Sequence, residues 1–271
     1  MKHNIPLLLL SALMLLSFSA CDSVFDIHPY DTRVEGATDL NTKNIKLIEE
    51  RCFDKDTMHI AVISDSHQWY KDLEAEIADI NRRDSIDFVI HLGDLTDFGS
   101  TLEYSLTRER LLKLRKPFVV MQGNHDCLGT GNEVYAKMFG NNDFSFIVGR
   151  VKSVMINTNA IEYDYSEPVP DFDFLEAEAT KDSALFDRTV ACMHAAPYSE
   201  QFNNNVLKPF NYYVMNFPNL MFCLYGHGHQ IDEHDFFNNG IIYYEVAAAK
   251  KRKYRIFTIT PNGYANEVIS I

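Results

Sequence analysis

The chain has 271 residues, of which 46% are hydrophobic and 23% charged, and its formal net charge is −13. That length allows one large domain, or one domain with small appendages, and a core large enough to fold without a metal or disulfide staple. The acidic balance argues against non-specific binding to a nucleic-acid backbone or an anionic lipid surface. It leaves room for a small anionic substrate, because bound cations can dominate the local field.

In chain order, the first predicted element is a targeting segment, 1–21. Lys2 and His3 open it, residues 5–18 are largely apolar, and Ser19 and Ala20 precede Cys21. This is the pattern of a secretory signal, and the stretch is too short for a comfortable membrane span. Phe18-Ser19-Ala20-Cys21 also resembles the bacterial lipobox, with Phe18 in place of the usual leucine. The resemblance implies that Cys21 becomes a lipidated first residue and holds an exported protein at a membrane of the cell envelope, periplasmic or surface-facing. A plain secretory signal is the alternative. Residues 22–57 read as a polar tether with a short helix over 41–51, capped by Asn41 or Thr42, with Ile45, Leu47 and Ile48 on its apolar side. The remaining cysteines, at 52, 127, 192 and 223, form no C-x-x-C pair. A structural zinc knuckle is therefore not expected, and Cys192 and Cys223 read as buried thiols.

The main domain is expected over 58–271. Its first half alternates: strand 59–64, helix 70–81, strand 88–92, helix 102–114, strand 118–121. Such alternation predicts parallel β-α-β units. Beyond 143 the pattern turns to short strands, at 144–148, 151–157, 220–224, 241–246 and 254–259.

The chemistry-bearing residues sit just after the apolar runs. Asp65-Ser66-His67, Gly93-Asp94-Leu95-Thr96-Asp97, Gly123-Asn124-His125-Asp126 and Gly226-His227-Gly228-His229 each follow one, and His194 follows the run from 189 to 193. Strand ends are where open α/β sheets carry their ligands. Aspartate, histidine and asparagine donors suit Mn, Fe or Zn. Seven such groups exceed the needs of one ion, which argues for two.

At these motifs, over roughly 58–229 and in family order, the sequence resembles the calcineurin-like metallophosphoesterases. The resemblance implies a four-layer αββα sandwich, with two mixed sheets flanked by helices, and hydrolysis of a phosphomonoester or phosphodiester by a hydroxide activated between two metals. It implies that Asp94 bridges the ions, that Asp65, His67 and His229 complete one site, and that Asn124, His194 and His227 complete the other. His125 would face the substrate as acid or charge stabiliser, with Asp126 holding its far nitrogen. Asp97 stands where purple acid phosphatases carry a tyrosine, and reads either as support for a ligand or as a turn residue. His194 is followed by Ala195 and Ala196 where many relatives have a second histidine, which leaves substrate preference open.

His91 reads as a satisfied core or supporting histidine, and His234 as a weak supporting candidate. Trp69 reads as a packing residue, or alternatively as a wall of the substrate site. The basic run Lys250-Lys251-Arg252-Lys253 reads as a solvated turn, with a local phosphate-binding edge as the alternative. Two competing functions remain. One is a non-catalytic surface lipoprotein using the fold as a binding module, which the full set of ligand positions disfavours. The other is a nuclease of the same fold, which the acidic charge disfavours.

Overall fold

The structure is a computed structural model that describes residues 28, 30–163 and 166–271. The expected targeting segment and Cys21 lie outside the described residues. No helix among the described residues is long and apolar enough to cross a membrane.

Two mixed sheets form the centre. In the first, β1 (Met58–Ile63), β2 (Phe88–His91) and β3 (Phe118–Val120) run parallel, and β10 (Lys253–Thr260) and β11 (Gly263–Ser270) add antiparallel on the far side of β1, in the order β11-β10-β1-β2-β3. The second has the order β4-β5-β6-β7-β9-β8, built from β4 (Phe144–Val148), β5 (Val151–Ile156), β6 (Arg188–Met193), β7 (Leu220–Tyr225), β8 (Asp232–His234) and β9 (Tyr243–Glu245). Strands β5, β6, β7 and β9 are parallel, and β4 and β8 are antiparallel edges.

The apolar runs are continuous because both faces of each sheet are covered. Alternate residues point to opposite faces. Ile60, Val62, Phe88, Ile90, Val190, Cys192, Phe222 and Leu224 meet in one cluster between the sheets. Ala61, Ile63, Val89 and Val120 instead face α2 (Tyr70–Arg82), α3 (Thr101–Leu111) and α4 (Gly131–Met138). Ala191, Met193, Cys223 and Tyr225 face α5 (Phe172–Thr180) and α6 (Leu207–Met215). This is the expected αββα order. Cysteines 52, 127, 192 and 223 are buried free thiols.

Two elements differ from expectation. Helix α1 (Leu40–Cys52) is no part of a tether: Ile48 and Cys52 are fully buried between the sheets. Asn41 does not cap it. The Asn41 side chain donates to Val120 O at 2.8 Å and accepts from Val120 N at 2.8 Å, and Asn44 Oδ1 accepts from Phe118 N at 3.0 Å. These amides satisfy the open edge of β3, which a sheet must otherwise protect. The folded unit therefore begins by Leu40, before the expected start at 58.

Helix α3 starts at Thr101 under a capping box made by Ser100 and Glu103, and its buried face is Glu103, Tyr104, Thr107, Arg108 and Leu111. The helix ends at Leu111, short of the expected 114, and it docks by hydrogen bonds as well as through the buried Tyr104 and Leu111. Tyr104 donates to Asp126 O at 2.7 Å and Thr107 to Leu95 O at 2.9 Å, so the helix braces the loops that carry the site.

Candidate metal centre

The five motifs leave the C-terminal ends of β1, β2 and β3 in one sheet and β6 and β7 in the other, and they converge where the two sheets face each other. Asp65, His67, Asp94 and His229 form one group whose ligand atoms all lie within 4.8 Å of one another, and Asp94, His194 and His227 form a second. Asp94 belongs to both. Asn124 Oδ1 completes the second group, 3.1 Å from His194 Nε2 and 3.0 Å from His227 Nδ1.

The convergence does not rest on extended backbone. Residues two apart in an extended strand share a side, but Asp65, His67, Asp94, His227 and His229 all have left-handed backbones, with φ of 48°, 43°, 55°, 68° and 63°. Such conformations cost roughly 1–3 kcal/mol each and persist where the surroundings over-determine them. Here the loops pin one another. Asp65 N–H donates to Gly93 O at 2.9 Å, His67 N–H to Asp94 O at 3.0 Å, and Gly226 N–H to His194 O at 3.1 Å. His125 N–H donates to Asp94 Oδ1 at 3.0 Å. The two imidazoles of the last motif reach different groups, His229 the first and His227 the second. A Cβ on Gly226 would meet Ser64 Oγ at 2.1 Å and one on Gly228 would meet Glu245 Oε1 at 2.2 Å. These glycines therefore make room for the Ser64 hydroxyl, which donates to Asp65, and for the Glu245 carboxylate.

The supporting contacts fix ring orientation. His194 Nδ1–H donates to Leu92 O at 2.9 Å, which aims Nε2 at Asp94 Oδ2, 3.3 Å away. His227 turns its Nε2 outward to Glu200 Oε1 at 3.0 Å, leaving Nδ1 for the site. Nothing in the motifs pointed to Glu200, which lies 27 residues upstream. His67 Nδ1 lies 2.8 Å from Asp97 Oδ1, so Asp97 contacts a histidine of the first donor group. His91 is a core group, 3.1 Å from Ser66 Oγ and accepting from Gly93 N–H at 3.2 Å.

Asp126 is a correction. It does not hold His125. Its carboxylate accepts from Leu95 N at 3.1 Å, Thr96 N at 2.9 Å, Thr96 Oγ1 at 2.9 Å and Gly123 N at 2.9 Å. It is fully buried and laces the Asp94 loop to the Asn124 loop. His125 instead donates from Nδ1 to the Asp97 carbonyl at 2.9 Å. His234 pairs with Asp232 at 3.2 Å and, with Glu245, makes a separate Asp-His-Glu group. The Glu245 oxygens there already accept from Gln230 N–H and Tyr225 O–H.

The electrostatics suit a cation. Burial opposes charge on Asp65 and Asp94, yet the neighbouring histidines hold both carboxylates below their usual range. Burial pulls the His67 and His227 imidazoles down, which favours the neutral form that binds metal. Burial also pulls on His194, but Asp94 outweighs it and holds the group up at about 9. A proton there occupies the place a cation would take. His67 Nε2 is buried without a hydrogen-bond partner and lies 3.5 Å from Asp94 Oδ2. An orphaned ring nitrogen facing a carboxylate, within a set of carboxylate, imidazole and amide-oxygen donors, fits Mn, Fe or Zn.

The fold is similar to GAP50, the anchor in the inner membrane complex of Plasmodium, with a TM-score of 0.60 and 10% identity over 80% of this chain and 85% of that one. It is similar to TT1561 of Thermus thermophilus, with a TM-score of 0.54 and 12% identity over 78% and 98%. It also resembles purple acid phosphatase PPD1 from yellow lupin (Lupinus luteus) seeds, with a TM-score of 0.52 and 12% identity over 80% and 54%. At these identities the likeness is one of fold. No curated protein matches the sequence. The family model for calcineurin-like phosphoesterase matches residues 58–231, which span all five motifs. The chain belongs to the calcineurin-like phosphoesterase family.

Proposed function

We propose that the protein hydrolyses a small phosphate ester, mono- or diester, at a dinuclear centre. The observation that carries this reading is the pair of donor groups that share Asp94. Asp65, His67, Asp94 and His229 would hold one ion, and Asp94, Asn124, His194 and His227 the other. When bound, such a pair clamps phosphoryl oxygens and supplies hydroxide at neutral pH. The rest falls to the chain. The left-handed loops fix the ligand atoms before substrate arrives, so no reorganisation is needed during reaction. Asp97 and Glu200 orient His67 and His227. The Asp97 carbonyl can only accept, so His125 carries its proton on Nδ1 and presents Nε2 to hold or deliver a proton to the leaving oxygen.

The complete donor set favours catalysis over a purely binding role, and the net charge of −13 favours small esters over nucleic acid. Metal-replete protein assayed against aryl phosphomonoesters, phosphodiesters and cyclic nucleotides tests the reading. Turnover of at least one class is expected, and turnover of none would favour a binding module. We also propose that the chain is exported and lipid-anchored at Cys21. Mass spectrometry of the mature N-terminus should find an acylated cysteine, and Cys21→Ser should release the protein or leave the precursor unprocessed. An unmodified terminus on soluble mature protein would rule this out.

A further inference from the structure

The two flanks of the metal centre differ in charge: the His67–His229 flank carries a lysine as well as Asp97, and the charged residues described on the other are acids. On the His67–His229 flank, the single tryptophan of the chain, Trp69, stands edge-on to both rings, with centroids 4.8 Å from His67 and 5.7 Å from His229. Lys250 lies across its face, with Nζ 4.2 Å from the ring centroid. The turn that carries Lys250 is fastened to the ligand loop: Ala249 N–H donates to Asp65 O at 3.2 Å, and Ala248 bridges to Ser64. Lys250 is exposed, and among the described residues it forms no ion pair. Its neighbour Arg252 is different, since it is spent on Asp72 at 2.7 Å. On the opposite flank, Glu200 reaches His227 from the lining of a cavity of about 690 Å³. That lining also holds Glu167 and, among its described residues, no lysine, arginine or histidine.

We propose that Lys250, held on Trp69, seats a second anionic group of the substrate, so that the ester carries a carboxylate or phosphate besides the phosphoryl group that reacts. This rests on the hydrolase reading of the site. The reasoning is one of charge and fixation. Among the described residues the ammonium has no carboxylate to neutralise it, and the ring restrains it beside the site histidines at little entropic cost on binding. An anionic group on the other flank would meet Glu200 and Glu167. The Trp69 face is already covered by the lysine, which disfavours a planar base stacking there and favours an anion reaching the ammonium.

The test uses glycerol 2-phosphate, which has no second anion, 2-phosphoglycerate, which adds a carboxylate, and glycerol 1,2-bisphosphate, which adds a phosphate. With metal-loaded protein, Lys250→Ala should raise the KM ratio of 2-phosphoglycerate, or of the bisphosphate, to glycerol 2-phosphate about tenfold, with kcat for each changed less than twofold. Lys250→Arg should restore the ratio. Which of the two ligands responds identifies the anion. Because Trp69 is the only tryptophan, its fluorescence reports this spot directly. Titration with the responding ligand should change the emission of the native protein and not that of Lys250→Ala. A KM ratio unchanged in Lys250→Ala, or an emission change that survives the substitution, overturns the proposal. If no ester is turned over but the fluorescence still separates the ligands in a Lys250-dependent way, the hydrolase reading fails and the anion seat stands.

Discussion

Asp97 Oδ1 lies 2.8 Å from His67 Nδ1, on the side of the ring away from Asp94. That contact meets a histidine of the first donor group from outside the group, and it separates two aspartates of one short motif. Asp94 belongs to both donor groups and Asp97 to neither. Asp94→Asn should therefore remove metal as well as activity. Asp97→Asn should weaken metal affinity by roughly 10–100-fold, the usual cost of losing a ligand's supporting partner, and full loading should recover most of the rate. Elemental analysis alongside turnover checks this. Equal, mild effects with metal retained in both would contradict the assignment.

His125→Ala should lower turnover by roughly 10²–10⁴-fold, the usual contribution of a positioned acid or base, while metal content stays that of the native protein. The defect should shrink for an aryl ester whose phenol leaves without a proton. Loss of metal in this variant would make His125 a ligand instead.

Asp126→Ala is expected to act through folding. Four donors from three residues converge on its carboxylate, and each buried donor left unpaired costs about 1–3 kcal/mol. A loss of at least ~3 kcal/mol in urea denaturation is expected, with metal binding weakened because the Asp94 loop loses its tie to the Asn124 loop. A variant of native stability but no activity would restore a direct catalytic role to Asp126.

Glu76, on α2, is fully buried, and among the described residues neither carboxyl oxygen has a hydrogen-bond partner. Burial, and then Asp72, push it well above its ordinary value of 4.5. The folded chain thus keeps a proton that the unfolded chain releases. This contribution is complete below the unfolded value and is lost as pH rises toward the folded one. Glu76→Gln should be more stable than the native protein at pH 8, with an advantage that shrinks toward pH 5. A stability difference that does not change with pH would refute the buried, protonated form.

How much of this was legible in the sequence depended on the distance over which each interaction is encoded. That Asp65, His67, Asp94, Asn124, His194, His227 and His229 come together could be read because each is a metal-ligating type set directly after an apolar run. A run covered on both faces must end at the rim of the sheet. The layer order followed from the alternation of runs and helices for the same reason. Local pattern did not extend to the partners. Asp126 and Asp97 sit in adjacent motifs and are both plausible behind a histidine. Only the packed loops show that four N–H and O–H donors claim the first and that a ligand ring faces the second. The left-handed turns at Asp65, His67, Asp94, His227 and His229 carry only a weak sequence mark: none is glycine, although aspartate and histidine enter that region more readily than most residues. Helix α1 read as part of a tether with Asn41 or Thr42 as its cap, yet Asn44 and Asn41 pair with the edge of β3, 74 and 79 residues away. Glu200 lies in a segment without motif or periodicity, and Lys250 was visible only as the start of a basic run whose position relative to the site the sequence does not give. Tertiary structure alone brings them to the centre, because a charged side chain at the end of a flexible stem acquires its role from what the fold sets opposite it, and that partner comes from a distant part of the chain.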